Sequence, residues 1–328
     1  MTEGENRRCD VQVFGAGSLG SVVGAIMKDS GLNVRLVGRE DHVESVRREG
    51  LRVEGELNLR VEPEADVKPG DADVTLVCVK SYDTRDAADA LSNVDPGTVI
   101  SLQNGFGNVR GLREKLGSVV LDGIATYGGL LHEPGVVECT GTGEIYLDTE
   151  MQRRPIEGDF EGKTGSAGGQ KSVEPPELLE NGGLDVEVKD GFRRRKWIKL
   201  GVNCVINPVS ALTGLRNGPA VENNLGLLDD VAREVSAVAS GEDVDLTSEK
   251  VYTECRRVAE ATSGNRSSML QDVSSGSDTE IESLNGYVVE LAEKHGVSVP
   301  VSRSLYSLVR SKEVTDRSTA AVDGGVSE

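Results

Sequence analysis

The chain has 328 residues, with 55 acidic against 36 basic, a formal net charge of −19 and only 3% aromatic residues. That length suits one large domain or two ordinary ones with a substantial core, and the charge repels nucleic acid and anionic membranes, so neither is an expected partner. No apolar run reaches the roughly 18 residues that span a bilayer, and MTEGENRRCD lacks the apolar centre of a signal peptide; both point to the cytoplasm.

Residues 9–14, CDVQVF, read as a short buried strand running straight into GAGSLG and the apolar helix pattern of 18–29. LNVRLV at 32–37, ADVTLVCV at 72–79 and TVISL at 98–102 are further strands rich in β-branched residues. Helix-compatible stretches at 41–49, 83–92 and 107–116 separate them. This alternation predicts an α/β domain, a Rossmann-type doubly wound parallel sheet with helices on both faces. From 119 to 147 short β-rich pieces broken by EPG and GTG suggest strands and turns at the sheet edge. The stretch 149–176 is poor in apolar residues, reads as an exposed polar insertion, and its GKTGS does not satisfy the phosphate-loop frame. After about 191 the strands vanish, and helical patterns cover 193–213, 219–240, 247–262, 278–295 and 302–312. Two domains are therefore expected: residues 1–190, dinucleotide-binding, and residues 191–328, all-helical.

Acidic residues spread along the whole chain, with few aromatics, resemble proteins of salt-loving organisms, which makes the charge an adaptation to solvent. Cys9, Cys78, Cys139, Cys204 and Cys255 are scattered without a CxxC pair and read as small buried hydrophobes in a reducing compartment. His42, His132 and His295 stand at no ligand spacing, so no metal site is expected.

The G-x-G-x-x-G at Gly15, Ala16, Gly17, Ser18, Leu19 and Gly20 has the context a dinucleotide fingerprint requires, a strand before it and a helix after it. Gly15 allows the tight turn, Gly17 the close approach of a pyrophosphate, and Gly20 close packing of helix on sheet, while the helix N-terminus offers N–H groups and a positive dipole. The second strand ends LVGRE; Arg39 stands where an NAD enzyme carries an acid, which favours a 2′-phosphate and hence NADP over NAD. Lys80 and Asn104 both follow strands at the carboxyl edge of the sheet, where ligands of such folds bind.

In the second half, KWIKLGVNCVINPVSALTG interrupts an apolar helix with Lys199, Asn203 and Asn207 at steps of four, a polar line along one face. An unpaired ammonium in apolar surroundings is costly, so Lys199 needs a carboxylate, a watered cavity or a ligand. Snorkelling to the surface is the plain alternative, but it needs no amide companions. Pro208 removes a helix N–H and should kink or end that turn. Polar groups beside a break read as the wall of a cleft.

KLGVNCVINPVSALTG, NRSSMLQDV at 265–273 and TEIESLNGYVVELAEKHGVSVP at 279–300, with GAGSLG and QNG at 103–105, resemble the ketopantoate reductase family over nearly the whole chain outside 149–176. The resemblance implies a catalytic lysine at Lys199 and substrate contacts from Lys199, Asn203, Asn207, Asn265, Ser268 and Asn104, with Asn217 in LRNGP a further one. Beside the glycine turn, Arg39, Lys80 and Asn104 already read as cofactor contacts, it implies one from the backbone of Gly129 and one from Glu280, which would hold the ammonium or meet the cofactor. The activity it implies is NADPH-dependent reduction of 2-dehydropantoate to (R)-pantoate, on the way to pantothenate and coenzyme A, with a small keto acid as partner and room for a homodimer. A partly buried lysine suits that chemistry, since it can polarise a keto group and protonate the alkoxide. The rival readings are another NAD(P)-dependent 2-keto or 3-hydroxy acid oxidoreductase on the same architecture, and a non-enzymatic NADP sensor.

Overall fold

A computed structural model describes residues 8–148, 174–188 and 190–323. The chain divides into two compact units, Met1–Gln103 with Gly107–Phe192, and Asn104–Phe106 with Arg193–Glu328.

The first unit is built on an eight-stranded sheet. In chain order its strands are β1 (Cys9–Phe14), β2 (Val34–Val37), β5 (Glu64–Asp66), β6 (Ala72–Val77), β7 (Thr98–Ser101), β8 (Val120–Ala125), β11 (Ile145–Leu147) and β12 (Val186–Val188). Their spatial order is β12-β11-β8-β7-β6-β1-β2-β5. From β5 to β8 every pairing is parallel; β11 runs antiparallel to β8, and β12 parallel to β11. Val11, Val13, Val34, Leu36, Val74 and Leu76 are buried on one face of the sheet, and Gln12, Arg35, Thr75 and Val77 on the other, as strands covered on both faces require. The chain returns past β1 to lay down β6, so β1 and β6 flank the point where strand order reverses. Ligands of doubly wound sheets bind outside the carboxyl ends of the strands at such a point.

Helix α1 (Ser18–Asp29) follows β1, α2 (Glu40–Glu49) follows β2, α3 (Thr84–Leu91) follows β6 and α4 (Asn108–Arg113) follows β7. A second, four-stranded sheet has the order β4-β3-β10-β9, from β3 (Leu51–Gly55), β4 (Leu59–Val61), β9 (Gly128–Glu133) and β10 (Val136–Gly141). The strand pieces expected at the sheet edge are thus redistributed: β8 lies inside the main sheet, and β9 and β10 leave it. Nothing in the sequence pattern announced β3, β4 or β5. The expected insertion lies outside the described residues as far as 173, while Pro175 and Pro176 open the short helix α5 (Pro175–Asn181). Proline at the first helical position loses no bond there.

The second unit is helical: α6 (Phe192–Thr213), α7 (Asn217–Glu222), α8 (Leu225–Gly241), α9 (Ser248–Ala261), α10 (Ser268–Ser274), α11 (Tyr287–His295) and α12 (Pro300–Asp323). The pattern read as one helix over 219–240 is two, parted at Asn223 and Asn224. The pattern at 278–295 begins later than expected, with a π-helical turn over Glu282–Gly286 leading into α11. Along α6, Trp197, Leu200, Val205 and Val209 are buried in the core of this unit. Gly201 lets α9 approach closely, because a Cβ there would stand 2.6 Å from a methyl of Val251. No helix of the described residues is long and apolar enough to cross a membrane.

Candidate functional site

The glycine turn of the first unit is shaped by its neighbours. Gly15 has φ +107°, and a Cβ there would lie 2.5 Å from the amide nitrogen of Val79, in the segment after β6. A Cβ on Gly20 would lie 2.2 Å from the Gly15 carbonyl oxygen. Both glycines are therefore demanded by packing. Gly17 differs: its backbone is extended, and a Cβ there would meet nothing within 4 Å. No side chain caps α1 and its first turn carries no acid, so its positive dipole end is not neutralised by its own residues. Those features fit an anionic pyrophosphate.

Ser18, read from the sequence as a cofactor contact, spends its hydroxyl inside the unit, accepting from the backbone N–H of Leu131 at 3.0 Å. Gly129 packs against the same turn, since a Cβ on it would lie 2.7 Å from the Ser18 carbonyl. Strand β9 is thus fastened to the start of α1. Ala16 is buried and Leu19 half-buried. Arg39 is exposed at the N-terminal end of α2, just past β2. Burial and Asp86 raise the Asp83 carboxyl while the charge of Arg39 lowers it, so Arg39 lies within electrostatic reach of the turn after β6. Lys80 opens that turn, half-buried.

In the second unit Lys199, Asn203 and Asn207 occupy one face of α6, with Lys199 and Asn203 half-buried and Asn207 buried. The segment carrying Asn104 belongs to this unit, and the Asn104 Nδ2 donates to Glu280 Oε2 at 3.1 Å. Glu280 is only 6% exposed. Its neighbour Thr279 is gripped by Glu313 of α12, whose Oε1 accepts from the Thr279 N–H at 2.9 Å and from its hydroxyl at 2.6 Å. Asn217 and Asn265 are joined through the backbone, Asn217 N–H to Asn265 carbonyl at 3.0 Å. The Asn217 side chain donates to Thr262 Oγ1, leaving its own buried oxygen without a protein partner. Ser267 caps α10 by accepting from the N–H of Leu270, and donates to Ser210 of α6 at 3.1 Å, so Ser268 opens a helix pinned to α6 one turn beyond Asn207.

Several residues of this neighbourhood had no motif to announce them. Phe106 stacks on Tyr287 with centroids 5.0 Å apart and rings 2° from parallel, and the ammonium of buried Lys196 sits 4.9 Å above the Phe106 ring. Burial pushes the Tyr287 hydroxyl up to about 12. Phe106 had one visible signal, a lone aromatic between the two glycines of NGFG. Burial likewise raises the Cys204 thiol, and pushes those of Cys78 and Cys255 up to about 12, so the cysteines present neutral sulfur rather than nucleophilic thiolates. Among the described residues no group of three His, Cys, Asp or Glu side chains could hold a metal ion.

Two family models match the chain: "Ketopantoate reductase PanE/ApbA" over residues 11–150 and "Ketopantoate reductase PanE/ApbA C terminal" over residues 191–313. The 2-dehydropantoate 2-reductase of Archaeoglobus fulgidus is 38% identical over 308 residues, covering 92% of this chain and 97% of that one. Its counterpart from Halobacterium salinarum is 39% identical with the same coverage. Among solved structures, a PanE/ApbA family ketopantoate reductase from Ralstonia eutropha superposes with a TM-score of 0.81 at 31% identity, over 94% of this chain and 99% of that one. D-mandelate dehydrogenase, solved with NADH and anilino(oxo)acetate, shares the fold at a TM-score of 0.81 and 20% identity, over 94% and 99% of the two chains.

Proposed function

The chain belongs to the ketopantoate reductase family, and from that premise we propose that it is an oxidoreductase acting on a CH–OH group. We assign to it the reduction of 2-dehydropantoate to (R)-pantoate with NADPH, a step towards pantothenate and coenzyme A. The observation that carries this reading is the polar line of α6, set in a unit where Asn104 and Glu280 are bonded to each other. An ammonium and two amides on one helical face are groups that the carbonyl, carboxylate and hydroxyl of a keto acid can engage.

The open space over Gly17, the uncapped α1 and exposed Arg39 fit a dinucleotide with a 2′-phosphate; the backbone of 15–20, with Lys80 and Gly129 nearby, would hold it. When bound, NADPH supplies the hydride that goes to C2 of the keto acid. The proton comes from Lys199: as the carbonyl π bond breaks, its Nζ–H donates to the C2 oxygen, and the lysine, left neutral, is reprotonated from solvent. Before that transfer the ammonium polarises the carbonyl electrostatically. Asn203, Asn207, Asn217, Asn265 and Ser268 supply donors and acceptors for the carboxylate and the distal hydroxyl, polar groups that need partners once desolvated. Asn104 and Glu280 orient the lysine and the cofactor side of the site.

The test is turnover of a panel of 2-keto acids with NADPH and with NADH, and of 3-hydroxy acids with NADP+ and with NAD+, followed by nicotinamide absorbance in concentrated KCl, the medium that a net charge of −19 calls for. 2-Dehydropantoate with NADPH should give the highest kcat/KM; a higher value for another acid would overturn the substrate assignment. Lys199→Ala should lose roughly 10²–10⁴ in kcat while NADPH binding persists. Near-native turnover by that variant removes the assigned proton donor.

A further inference from the structure

Pro208 lies inside α6 and has no N–H, so the carbonyl of Cys204, four residues earlier, loses its partner in the helical ladder. Cys204 is fully buried, and an unpaired carbonyl there would cost as much as a lost hydrogen bond. The missing donor is supplied from 81 residues away: Asn285 Nδ2 donates to the Cys204 oxygen at 3.1 Å. A carbonyl only accepts, so the amide nitrogen must face it, which settles the orientation of the Asn285 side chain. Its own Oδ1 is then left buried without a protein partner. A chain that tolerates this orphan acceptor is using Asn285 for its donor.

Asn285 sits in the π-helical turn Glu282–Gly286, closed by the Gly286 N–H on the Ile281 carbonyl at 2.9 Å. That turn begins two residues after Glu280, whose carboxylate holds Asn104. Turns with i→i+5 bonds are rare and concentrate at functional sites. At its other end the bond lands on the residue following Asn203, in the opened turn that carries Asn207. We propose that Asn285 is a positioning residue: its amide replaces the N–H that Pro208 withholds, and so locks the Glu280-bearing turn to the helix carrying Lys199, Asn203 and Asn207. The inference rests on the reading of Lys199 as proton donor. In that frame the proline withholds one bond of the helix at the polar line and the asparagine restores it from outside, tying Glu280 and Lys199 to one spacing.

A double-variant cycle tests this, since Pro208→Ala returns an N–H to the Cys204 carbonyl and makes the asparagine dispensable. Asn285→Leu in the native chain should lower kcat by about tenfold with NADPH affinity unchanged, whereas in the Pro208→Ala background it should cost less than about threefold. Hydrogen exchange of the amides of 205–212 should rise in Asn285→Leu and return in the double variant, a readout independent of turnover. An equal kcat loss in both backgrounds, or a lower melting temperature with native kcat, overturns the proposal. Should Asn285→Leu not fold, Asn285→Asp replaces it: only the protonated carboxyl can donate, so its kcat relative to native should fall as pH rises, and a flat ratio is the contrary result. Lys199→Ala measured alongside separates the two readings. Near-native kcat there removes the proton donor, while the exchange pattern reports on the bond by itself.

Discussion

Replacing Gly17 by alanine separates a glycine kept for a ligand from one kept for the fold. The backbone at Gly17 has φ −91° and ψ −152°, which any residue adopts, and an added Cβ meets nothing within 4 Å. The protein should therefore fold as well as before, with a gain of about 0.4–1 kcal/mol from the stiffer unfolded chain. The new methyl fills the space through which a pyrophosphate would reach the N–H groups of α1. Losing one charge-assisted backbone bond costs about 1.5–3 kcal/mol, so the NADPH Kd should rise roughly 10- to 100-fold. Gly20→Ala should do the reverse first: its Cβ would stand 2.2 Å from the Gly15 carbonyl, roughly 1 Å short of ordinary contact, and the forced shift should cost about 1–3 kcal/mol of stability. Thermal melting and fluorescence titration with NADPH read the two effects separately. A Gly17→Ala protein with native NADPH affinity, or a Gly20→Ala protein that melts like the native one, would refute the reasoning.

Arg39→Ala should weaken NADPH binding by about tenfold and leave NADH nearly untouched, because only the former carries a 2′-phosphate; equal losses for both cofactors would remove Arg39 from that role. Buried His42 accepts from the Gly135 N–H at its Nδ1, 3.2 Å away, and so carries its proton on Nε2, directed at Ser21 of α1 at 3.3 Å. Burial lowers its pKa below the ordinary 6.5, so as pH falls the unfolded chain takes the proton first. The stabilisation from this ring is complete above that value and declines below it until the folded ring also protonates. Urea midpoints at pH 7.5 and 5.5 should accordingly differ more for the native protein than for His42→Gln, and equal differences would count against it. Buried Glu234 of α8 accepts from the N–H groups of Val301 and Ser302, both at 2.8 Å, capping the first turn of α12. Glu234→Ala should lower stability by about 3 kcal/mol, and an unchanged unfolding midpoint would deny the cap its weight.

What the sequence determined by itself is local. The strand, glycine turn and helix of 9–29 are legible because every signal lies within one short segment, and the parallel alternation follows from repeats of that unit. The polar line of α6 is legible for the same reason, since three residues of one helix share a face whatever surrounds them. Pairing between distant segments is not written locally. Leu51 and Val53 alternate with Arg52 and Glu54, but five residues of alternation resemble a loop until β10 is found beside them, some eighty positions away. Asn104 reads as the end of a strand, and its bond to Glu280, 176 residues on, with Phe106 stacked on Tyr287, ties it to the helical unit. Pro208 states in the sequence that one carbonyl has lost its donor; that Asn285 answers it was decided by tertiary packing, which alone brings a buried amide to a buried oxygen.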